Sequence, residues 1–297
     1  MQFIREVYLL DLITSSLTVR HNYTARFNWE PVVSHQLRYH TDYNFADAQT
    51  LLQLSFLVST EIPLVVPDNF EHTTLTYNVC PQQLVAEVLP KSPLNDSASL
   101  GHILFNRQSN VLYIVFTGTV NGCMATMDLD YRQTTLEAFP NGTPDIKAHR
   151  GFYHGYMSIR DVLVNTVKKY LPLQPQIVVT GHSLGGALSQ LCAYDLAYYE
   201  PIHYSFASPM VFNPVGALAF DKFVKNSYRI ANLSDLVIIS PLPVMPNGDA
   251  FGHVGNLMYF QHNFGDFSLN HTFSYMLQYE LTYEVFEKAP NKVLNKQ

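Results

Sequence analysis

The sequence predicts an α/β fold with a mostly parallel central sheet and helices on both faces, and three features indicate it. Apolar residues make up 47% of the 297 residues, which is enough for a large core. In the second half of the chain, short β-branched or aromatic strand patterns alternate with helical patterns, an order that produces parallel strands. One of these strands, at residues 177–180, passes through a glycine-flanked turn directly into a helix.

We expect a single domain preceded by a short extension. Residues 1–44 carry many Tyr, His, Asn and Arg residues without a clear period, and are interpreted as an N-terminal extension packed on a domain of residues 45–297. Residues 46–59 have the apolar spacing of a helix that ends before Pro63. Residues 61–100 contain five prolines and are expected to be irregular.

From residue 101 onward, strand and helix patterns follow one another closely. Two strand patterns, at residues 101–106 and 111–116, flank a short polar turn and predict a hairpin. A long helical pattern over residues 151–171 ends at Pro172. The remaining predicted elements are strands at residues 177–180, 203–207, 227–232 and 257–261, and helices at 187–194, around 215–225 and at 271–281.

Composition excludes several classes of function. The formal net charge is −6 and only 14% of the residues are charged, so no basic surface is available to neutralise the phosphates of a nucleic acid. The three cysteines are far apart, and the chain has no His-Glu-x-x-His motif. This spacing is neither a disulfide framework nor a zinc signature, so we expect no metal and no other cofactor.

The N-terminal region gives an expectation about the compartment. Residues 1–17 are apolar in character but are interrupted by Arg5, Glu6 and Asp11, and no cleavage site of small residues is visible. No apolar run approaches the roughly 18 residues of a membrane span. A soluble protein without a transmembrane segment is predicted, and the sparse cysteines favour the cytoplasm.

The strongest functional signal is the turn after residues 177–180, which has the sequence Gly181-His182-Ser183-Leu184-Gly185. A Gly-x-Ser-x-Gly turn between a strand and a helix is the context of a nucleophile elbow. Such a turn is so sharp that the positions two residues before and after the serine must lack side chains. Ser183 is therefore the candidate nucleophile.

A serine nucleophile needs a base and an acid that orients the base, and the sequence offers rivals for both roles. Asp235 follows the strand at residues 227–232 at its carboxyl end, where loops build active sites, whereas Asp249 lies in a loop rich in proline and glycine. Topology therefore favours Asp235 as the acid. It leaves His253 and His271 both open as the base.

A series of sequence blocks then occurs in a characteristic order over residues 45–285. The blocks are Val115-Phe116-Thr117-Gly118-Thr119, His149-Arg150-Gly151-Phe152, residues 181–186, Tyr204-Ser205-Phe206-Ala207-Ser208-Pro209, residues 229–235 with Val237 and Pro241-Leu242-Pro243, Phe251-Gly252-His253-Val254-Gly255, and His271 with Tyr275. Together they resemble the class 3 (fungal-type) lipases of the α/β-hydrolase superfamily. The joint order is far more specific than any single block.

The resemblance implies a role for each matched residue. It assigns the acid to Asp235 and the base to His271, and it makes His253 a structural residue. It implies an oxyanion hole formed by the backbone N–H groups of Leu184 and Thr119, with the Thr119 hydroxyl as a possible third donor. Asp128 matches an acid that orients this hydroxyl, and the alternative is an exposed carboxylate.

The resemblance also places a lid over residues 120–129. The expected lid residues are Val120, Met124, Met127 and Leu129, of which the last three are expected to form an adaptable apolar face for lipid. The alternative is a short surface segment with ordinary core contacts. The chain departs from the family pattern at Thr117 and Met210, where arginine is common, and at Ala125, where secreted members often carry a lid tryptophan. These departures leave the triad intact, but they argue against strong interfacial activation.

The sequence thus predicts a lipase that hydrolyses acylglycerol esters through a Ser-Asp-His triad and an acyl-enzyme. We expect a lipid or ester substrate, transient adsorption to lipid interfaces and no nucleic-acid partner. A phospholipase A1 or a small-ester esterase would use the same triad, because the triad does not encode the acyl or alcohol group. A non-catalytic lipid-binding or interaction protein on the same fold is the alternative from another class.

Overall fold

The computed structural model describes residues 29, 42–59, 64–77, 98–120 and 122–281. Nearly all of the proposed N-terminal extension lies outside these residues, so the boundary at residue 45 stays a prediction. Within the extension, Trp29 packs against Phe70 with ring centroids 5.5 Å apart.

A seven-stranded sheet forms the centre of the described structure, in the spatial order β1-β2-β3-β6-β7-β8-β9. The first two pairings, β1 with β2 and β2 with β3, are antiparallel, and the other four are parallel. The strands are β1 (Phe70–Tyr77), β2 (Ala98–Asn106), β3 (Val111–Phe116), β6 (Gln176–His182), β7 (Ile202–Phe206), β8 (Asn226–Asn232) and β9 (Asn256–Phe260). A separate two-stranded sheet pairs β4 (Gln133–Thr135) with β5 (Lys147–His149).

Helices cover both faces of the large sheet. They are α1 (Phe45–Val58), α2 (Gly122–Leu129), α3 (Arg150–Tyr170), α4 (Leu184–Asp195), α5 (Pro214–Phe223) and α6 (Ser274–Gln278), and a π-helical turn at Leu269–Phe273 precedes α6. One hydrophobic core contains residues of α3, α4 and α5, and the other contains residues of α1 and α6. Because β3 and β6 to β9 run parallel, their carboxyl ends meet at one edge of the sheet, where a site can form.

The structure differs from the sequence prediction at two elements. The stretch 61–100, expected to be irregular, contains β1 and the start of β2. β1 lacks a clear apolar pattern because only Phe70, Leu75 and Tyr77 are buried along this edge strand. The last helix, predicted over residues 271–281, begins two residues earlier as a π-helical turn, and its α-helical part ends at Gln278.

Membrane crossing demands a long and strongly apolar helix. In the described ranges, none of the helices meets that demand.

Candidate active site

Ser183 occupies the sharp turn between β6 and α4. Its φ of 60° and ψ of −124° lie in a region that side-chain-bearing residues rarely adopt. The turn brings backbone atoms so close that a Cβ at Gly181 would lie 2.2 Å from the Gly185 carbonyl oxygen. A Cβ at Gly185 would lie 2.4 Å from the carbonyl oxygen of Phe116 on β3. A side chain at either glycine of the motif would therefore clash with the backbone.

The structure brings Ser183, His271 and Asp235 together in one hydrogen-bonded line. His271 Nε2 lies 2.8 Å from Ser183 Oγ, and His271 Nδ1 lies 2.9 Å from Asp235 Oδ2. All three residues are buried. A carboxylate only accepts hydrogen bonds, so Nδ1 carries a hydrogen, and in the uncharged ring Nε2 then accepts from the serine hydroxyl. This tautomer is the one that a general base for Ser183 needs.

Other groups hold the two partners of Ser183 in place. Asp235 begins the turn after β8, where its Oδ1 accepts the Val237 N–H at 2.9 Å and its Oδ2 accepts the Tyr275 hydroxyl at 3.1 Å. The backbone carbonyl of His271 accepts a hydrogen bond from His182 Nε2 at 2.9 Å. The His182 and His271 rings are also in contact, with centroids 4.9 Å apart.

The rival acid Asp249 and the rival base His253 lie elsewhere, as does the buried His203. Asp249 pairs with Asn247 in the same exposed loop, with 2.8 Å between Oδ2 and Nδ2. His203 is fully buried between Ser189 and Ser227, and burial lowers its pKa to about 3. Burial also lowers the pKa of His253 to about 4. Neither His203 nor His253 has a hydrogen bond to Ser183 in the described structure, whereas His271 does.

The two expected oxyanion residues flank Ser183. Leu184 is the first residue of α4, and the N–H groups of a first helical turn have no acceptor within the helix. Thr119 follows β3 next to Gly118, where a Cβ would lie 3.3 Å from the His182 carbonyl oxygen and 3.8 Å from Ser183 Cβ. The strand end that carries Thr119 therefore lies against the serine turn.

Asp128 contacts the Thr119 hydroxyl, as the sequence resemblance implied. The hydroxyl donates to Asp128 Oδ2 over 2.8 Å, and burial raises the pKa of the Asp128 carboxyl to about 7. A hydroxyl has one hydrogen, and here that hydrogen is given to Asp128. The third oxyanion donor therefore requires this hydrogen bond to rearrange, and it stays a prediction.

The expected lid segment is largely the short helix α2, which packs into the protein. Met124 and Met127 are both buried in the core. Met127 lies so close to α3 that a Cβ at Gly155 would be 2.7 Å from its sulfur, while Val120 and Leu129 are partly exposed. The two methionines thus do not form an exposed apolar face in this structure, because ordinary core contacts enclose them.

The departures from the family pattern have local roles. The Thr117 hydroxyl donates to the Ser99 carbonyl oxygen at 2.7 Å, linking the end of β3 to β2. Met210 packs with Met245 and Phe251 in a small separate core cluster. Ala125 is fully buried on α2, in a position without room for an exposed tryptophan side chain.

The sequence reasoning missed a contact from α1 to the oxyanion region. Ser59, which caps α1, accepts the Gly118 N–H at 2.9 Å and donates to the Ser55 carbonyl oxygen at 2.7 Å. No local sequence pattern predicts this contact, since Ser59 and Gly118 are 59 positions apart. Among the described residues, no group of three or more His, Cys, Asp or Glu side chains is placed to hold a metal ion.

Comparison with known families identifies the segment that contains most of this site. Residues 113–245 match the sequence profile of the family described as Lipase (class 3). Over these residues, which are less than half of the chain, the sequence is similar to class 3 lipases. The family resemblance inferred from the ordered sequence blocks is thereby confirmed.

Characterised relatives match over part of their length. The chain is 32% identical to the lipase of Rhizomucor miehei over 156 residues, which is 48% of this chain and 40% of that protein. It is 27% identical over 163 residues to the secreted mono- and diacylglycerol lipase A of Penicillium cyclopium, which is 52% of this chain and 48% of that protein. The chain thus spans about half, or less, of the length of these two relatives. A relative named as secreted lends no support to the cytoplasmic location, which stays a prediction.

Solved structures bear on the fold. The chain is similar to the mono- and diacylglycerol lipase from Aspergillus oryzae with a TM-score of 0.54 and 22% identity, over 75% of this chain and 81% of that one. The predicted α/β fold is confirmed as an α/β-hydrolase fold with a mostly parallel sheet.

Proposed function

We propose that this chain is a lipase that hydrolyses acylglycerol esters, with Ser183 as the nucleophile, His271 as the general base and Asp235 as the orienting acid. The observation that carries the proposal is the buried line from Ser183 Oγ through the His271 ring to Asp235, with separations of 2.8 and 2.9 Å. A serine hydroxyl is a weak nucleophile until an adjacent base takes its proton. The match of residues 113–245 to the class 3 lipase family supports an ester as the substrate.

In the acylation step, Ser183 Oγ attacks the ester carbonyl carbon while its proton passes to His271 Nε2. The imidazolium formed is stabilised by the Asp235 carboxylate at Nδ1. When the tetrahedral intermediate collapses, the bond from carbon to the alkoxy oxygen breaks and the leaving alcohol takes the proton from Nε2. The acyl group then remains on Ser183 as an ester.

In the deacylation step, a water molecule attacks the acyl carbon and gives its proton to Nε2. The fatty acid departs when the bond to Ser183 Oγ breaks, and Nε2 returns the proton to the serine. In both steps the negative charge on the carbonyl oxygen is stabilised by the backbone N–H groups of Leu184 and Thr119. A single such donor in a site without water is worth about 3 kcal/mol.

The segment that follows Asp235 in the chain supports a lipid substrate. The segment after Asp235 exposes a row of large apolar side chains at Leu236, Ile239, Leu242 and Val244. Between Asp235 and Asp249 this segment contains no charged residue. An uncharged segment with exposed apolar side chains directly after Asp235 favours contact with acyl chains and transient adsorption to a lipid interface. The names of the relatives, mono- and diacylglycerol lipases among them, favour an acylglycerol in the same way.

Hydrolysis rates across a set of esters test the proposal. The set comprises p-nitrophenyl esters of increasing chain length, emulsified mono-, di- and triacylglycerols, and a phosphatidylcholine, with Ser183→Ala as the control. We expect hydrolysis of long-chain acylglycerols by the wild type and a loss on the order of 10⁶ in kcat in the control. Preference for the phospholipid or for p-nitrophenyl acetate would contradict the substrate class. Binding of lipid without turnover of any ester would contradict the enzyme itself.

A further inference from the structure

Asn232, the last residue of β8, lies fully buried where the Asp235 turn meets the His271 turn. Its side-chain Nδ2 is 2.9 Å from the His262 carbonyl oxygen, 3.1 Å from the Asn270 carbonyl oxygen and 2.9 Å from Ser274 Oγ. Its Oδ1 accepts the N–H groups of Ser234 at 3.2 Å and His262 at 3.0 Å. One amide thus contacts both turns that carry the partners of Ser183.

The partners of this amide fix which way it points. Two of the three groups around Nδ2 are carbonyl oxygens, which only accept, and both groups at Oδ1 are N–H donors. A flipped amide would place oxygen against oxygen and nitrogen against nitrogen. The site therefore demands a side chain of this shape that donates on one side and accepts on the other.

The backbone of Asn232 extends the same connection. Its carbonyl oxygen accepts the Asp235 N–H at 3.0 Å, and its N–H donates to the Tyr275 hydroxyl at 2.9 Å. That hydroxyl in turn donates to Asp235 Oδ2, the oxygen that accepts His271 Nδ1. Asn232 is thus connected to the Asp235 carboxylate by two routes.

The turn that carries His271 needs such a partner because of its own geometry. His271 lies within the π-helical turn Leu269–Phe273, a rare form that occurs mostly at functional sites. The Asn270 carbonyl oxygen, next to His271, accepts from both Asn232 Nδ2 and the Ser274 hydroxyl. The chain separates His271 from Asp235 by 36 residues, so their spacing depends on contacts across the turns.

We infer that Asn232 is a positioning residue that fixes the separation and angle between the Asp235 carboxylate and the His271 imidazole. Its effect on turnover rests on the proposed function. The hydrogen bond between Asp235 and His271 exists whether or not the chain hydrolyses esters. The inference can therefore be tested separately from the proposed function.

The test is Asn232→Asp, with Asn226→Asp as the matched control. The two asparagines are buried at opposite ends of β8, so each variant places a carboxyl group inside the same strand. At position 232 an aspartate has the shape of asparagine but loses one donor hydrogen when neutral and both when ionised, so an oxygen faces the His262 and Asn270 carbonyls. Position 226 is the first residue of β8, at the end of the strand opposite to the Asp235 turn.

Two measurements are made on folded variants: kcat and KM on a p-nitrophenyl ester over a pH series, and the low-field ¹H NMR resonance of the proton between His271 Nδ1 and Asp235. For Asn232→Asp we expect kcat to fall by about 10²-fold, since small misplacements of catalytic groups have effects of this order, while KM changes little. The loss should grow as pH rises and the new carboxyl ionises. The resonance should shift or disappear, whereas Asn226→Asp should keep the wild-type resonance and the wild-type pH profile.

The inference is overturned if folded Asn232→Asp keeps the wild-type resonance, and equally if its kcat falls no further than that of Asn226→Asp. If the wild type hydrolyses no ester, the proposed function fails, and the resonance still decides the role of Asn232. If Asn232→Asp does not fold, Ser274→Ala removes one partner of the amide and leaves Asn232 in place. A shifted resonance in that variant supports the inference, and an unchanged one contradicts it.

Discussion

At the scale of single residues, Ser183 shows how close packing enforces an unusual backbone conformation. Its positive φ is held by β6 on one side and by α4 on the other, and its N–H donates to the Phe206 carbonyl oxygen at 2.9 Å. The strain places the hydroxyl within reach of His271 and at the start of a helix. A side chain at Gly181 or Gly185 would push this arrangement apart.

The choice of acid leads to the first prediction. Asp235→Asn should lower kcat by about 10⁴-fold, because the amide turns a donor toward one of its partners and favours the wrong imidazole tautomer. Asp235 accepts hydrogen bonds from Tyr275, Val237 and His271, so an NH2 group has no suitable place there. Steady-state kinetics on a soluble ester provide the measurement.

Asp249→Asn is the matched control for this prediction. Asp249 lies in an exposed loop and pairs only locally with Asn247, so its loss should change kcat little. A large loss of kcat in Asp249→Asn together with a small loss in Asp235→Asn would contradict the assignment of Asp235 as the acid.

The residues of the site differ in how far the sequence predicts them. Ser183 and its glycines form a local motif, because the sharp turn dictates its own neighbours. Asp235 follows a strand end and is favoured by topology, whereas His271 could be separated from His253 only by the family resemblance. The sequence does not predict Ser59 and Asn232, because they act through contacts with residues distant in the sequence and neither carries a reactive group.

At the scale of elements, α1 supports the oxyanion region from the opposite side of the site to α4. Its C-terminal cap, Ser59, contacts the backbone of Gly118, and Phe56 packs on His182 with ring centroids 4.9 Å apart. α1 thereby touches both the strand end that carries Thr119 and the turn that carries Ser183. This helix precedes the segment that matches the family profile.

We expect Ser59→Ala to lower kcat about tenfold, because the buried Gly118 N–H loses its acceptor and such a loss costs about 1–3 kcal/mol. KM should change little, since the oxyanion forms only during the reaction. Ser55→Ala is the control, because it removes a similar buried hydroxyl that bonds only to Leu51 of the same helix. Equal kcat values for the two variants would show that Ser59 serves α1 alone.

Two elements show where sequence patterns fail. β1 is half exposed and has a mixed polar sequence, so its strand character comes from pairing with β2 rather than from an apolar alternation. α2 carries two methionines that the sequence allows equally at a lipid-facing surface or in a core. The two methionines are in the core because α2 packs against α3, and no local sequence pattern predicts that packing.

At the scale of the whole molecule, several histidines are buried without charge on the sheet and its flanking elements. Burial lowers the pKa of His102 to about 4 and the pKa values of His149 and His203 to about 3. In the unfolded chain a histidine has a pKa of about 6.5. Between these values the unfolded chain binds protons that the folded chain does not, so acid favours unfolding.

The free energy of unfolding should therefore increase from about pH 4 to about pH 6.5 and level off above. Each such histidine contributes up to about 1.4 kcal/mol per pH unit in that window. Asp128 acts in the opposite direction. Its pKa is raised to about 7, so its contribution to stability declines as the pH rises from the pKa of an unfolded aspartate towards 7, but it is one group against several histidines. Urea unfolding at a series of pH values measures how the free energy of unfolding changes with pH.

His203→Gln provides the control for this pH dependence, because it removes one of these histidines and keeps a polar side chain between Ser189 and Ser227. In this variant the free energy of unfolding should increase less per pH unit than in the wild type, by the contribution of one proton. An unchanged slope would mean that His203 does not contribute to the acid sensitivity.

Labelling with a fluorophosphonate, followed by mass spectrometry of the peptides, tests the central claim most directly. The reagent reacts with a serine whose hydroxyl is activated by a neighbouring base, and it requires no assumption about the substrate. We expect one phosphonyl adduct on Ser183 in the wild type, none in Ser183→Ala, and slow labelling in His271→Ala. An unlabelled wild type, or an adduct on another serine, would contradict the assignment of Ser183 as the nucleophile.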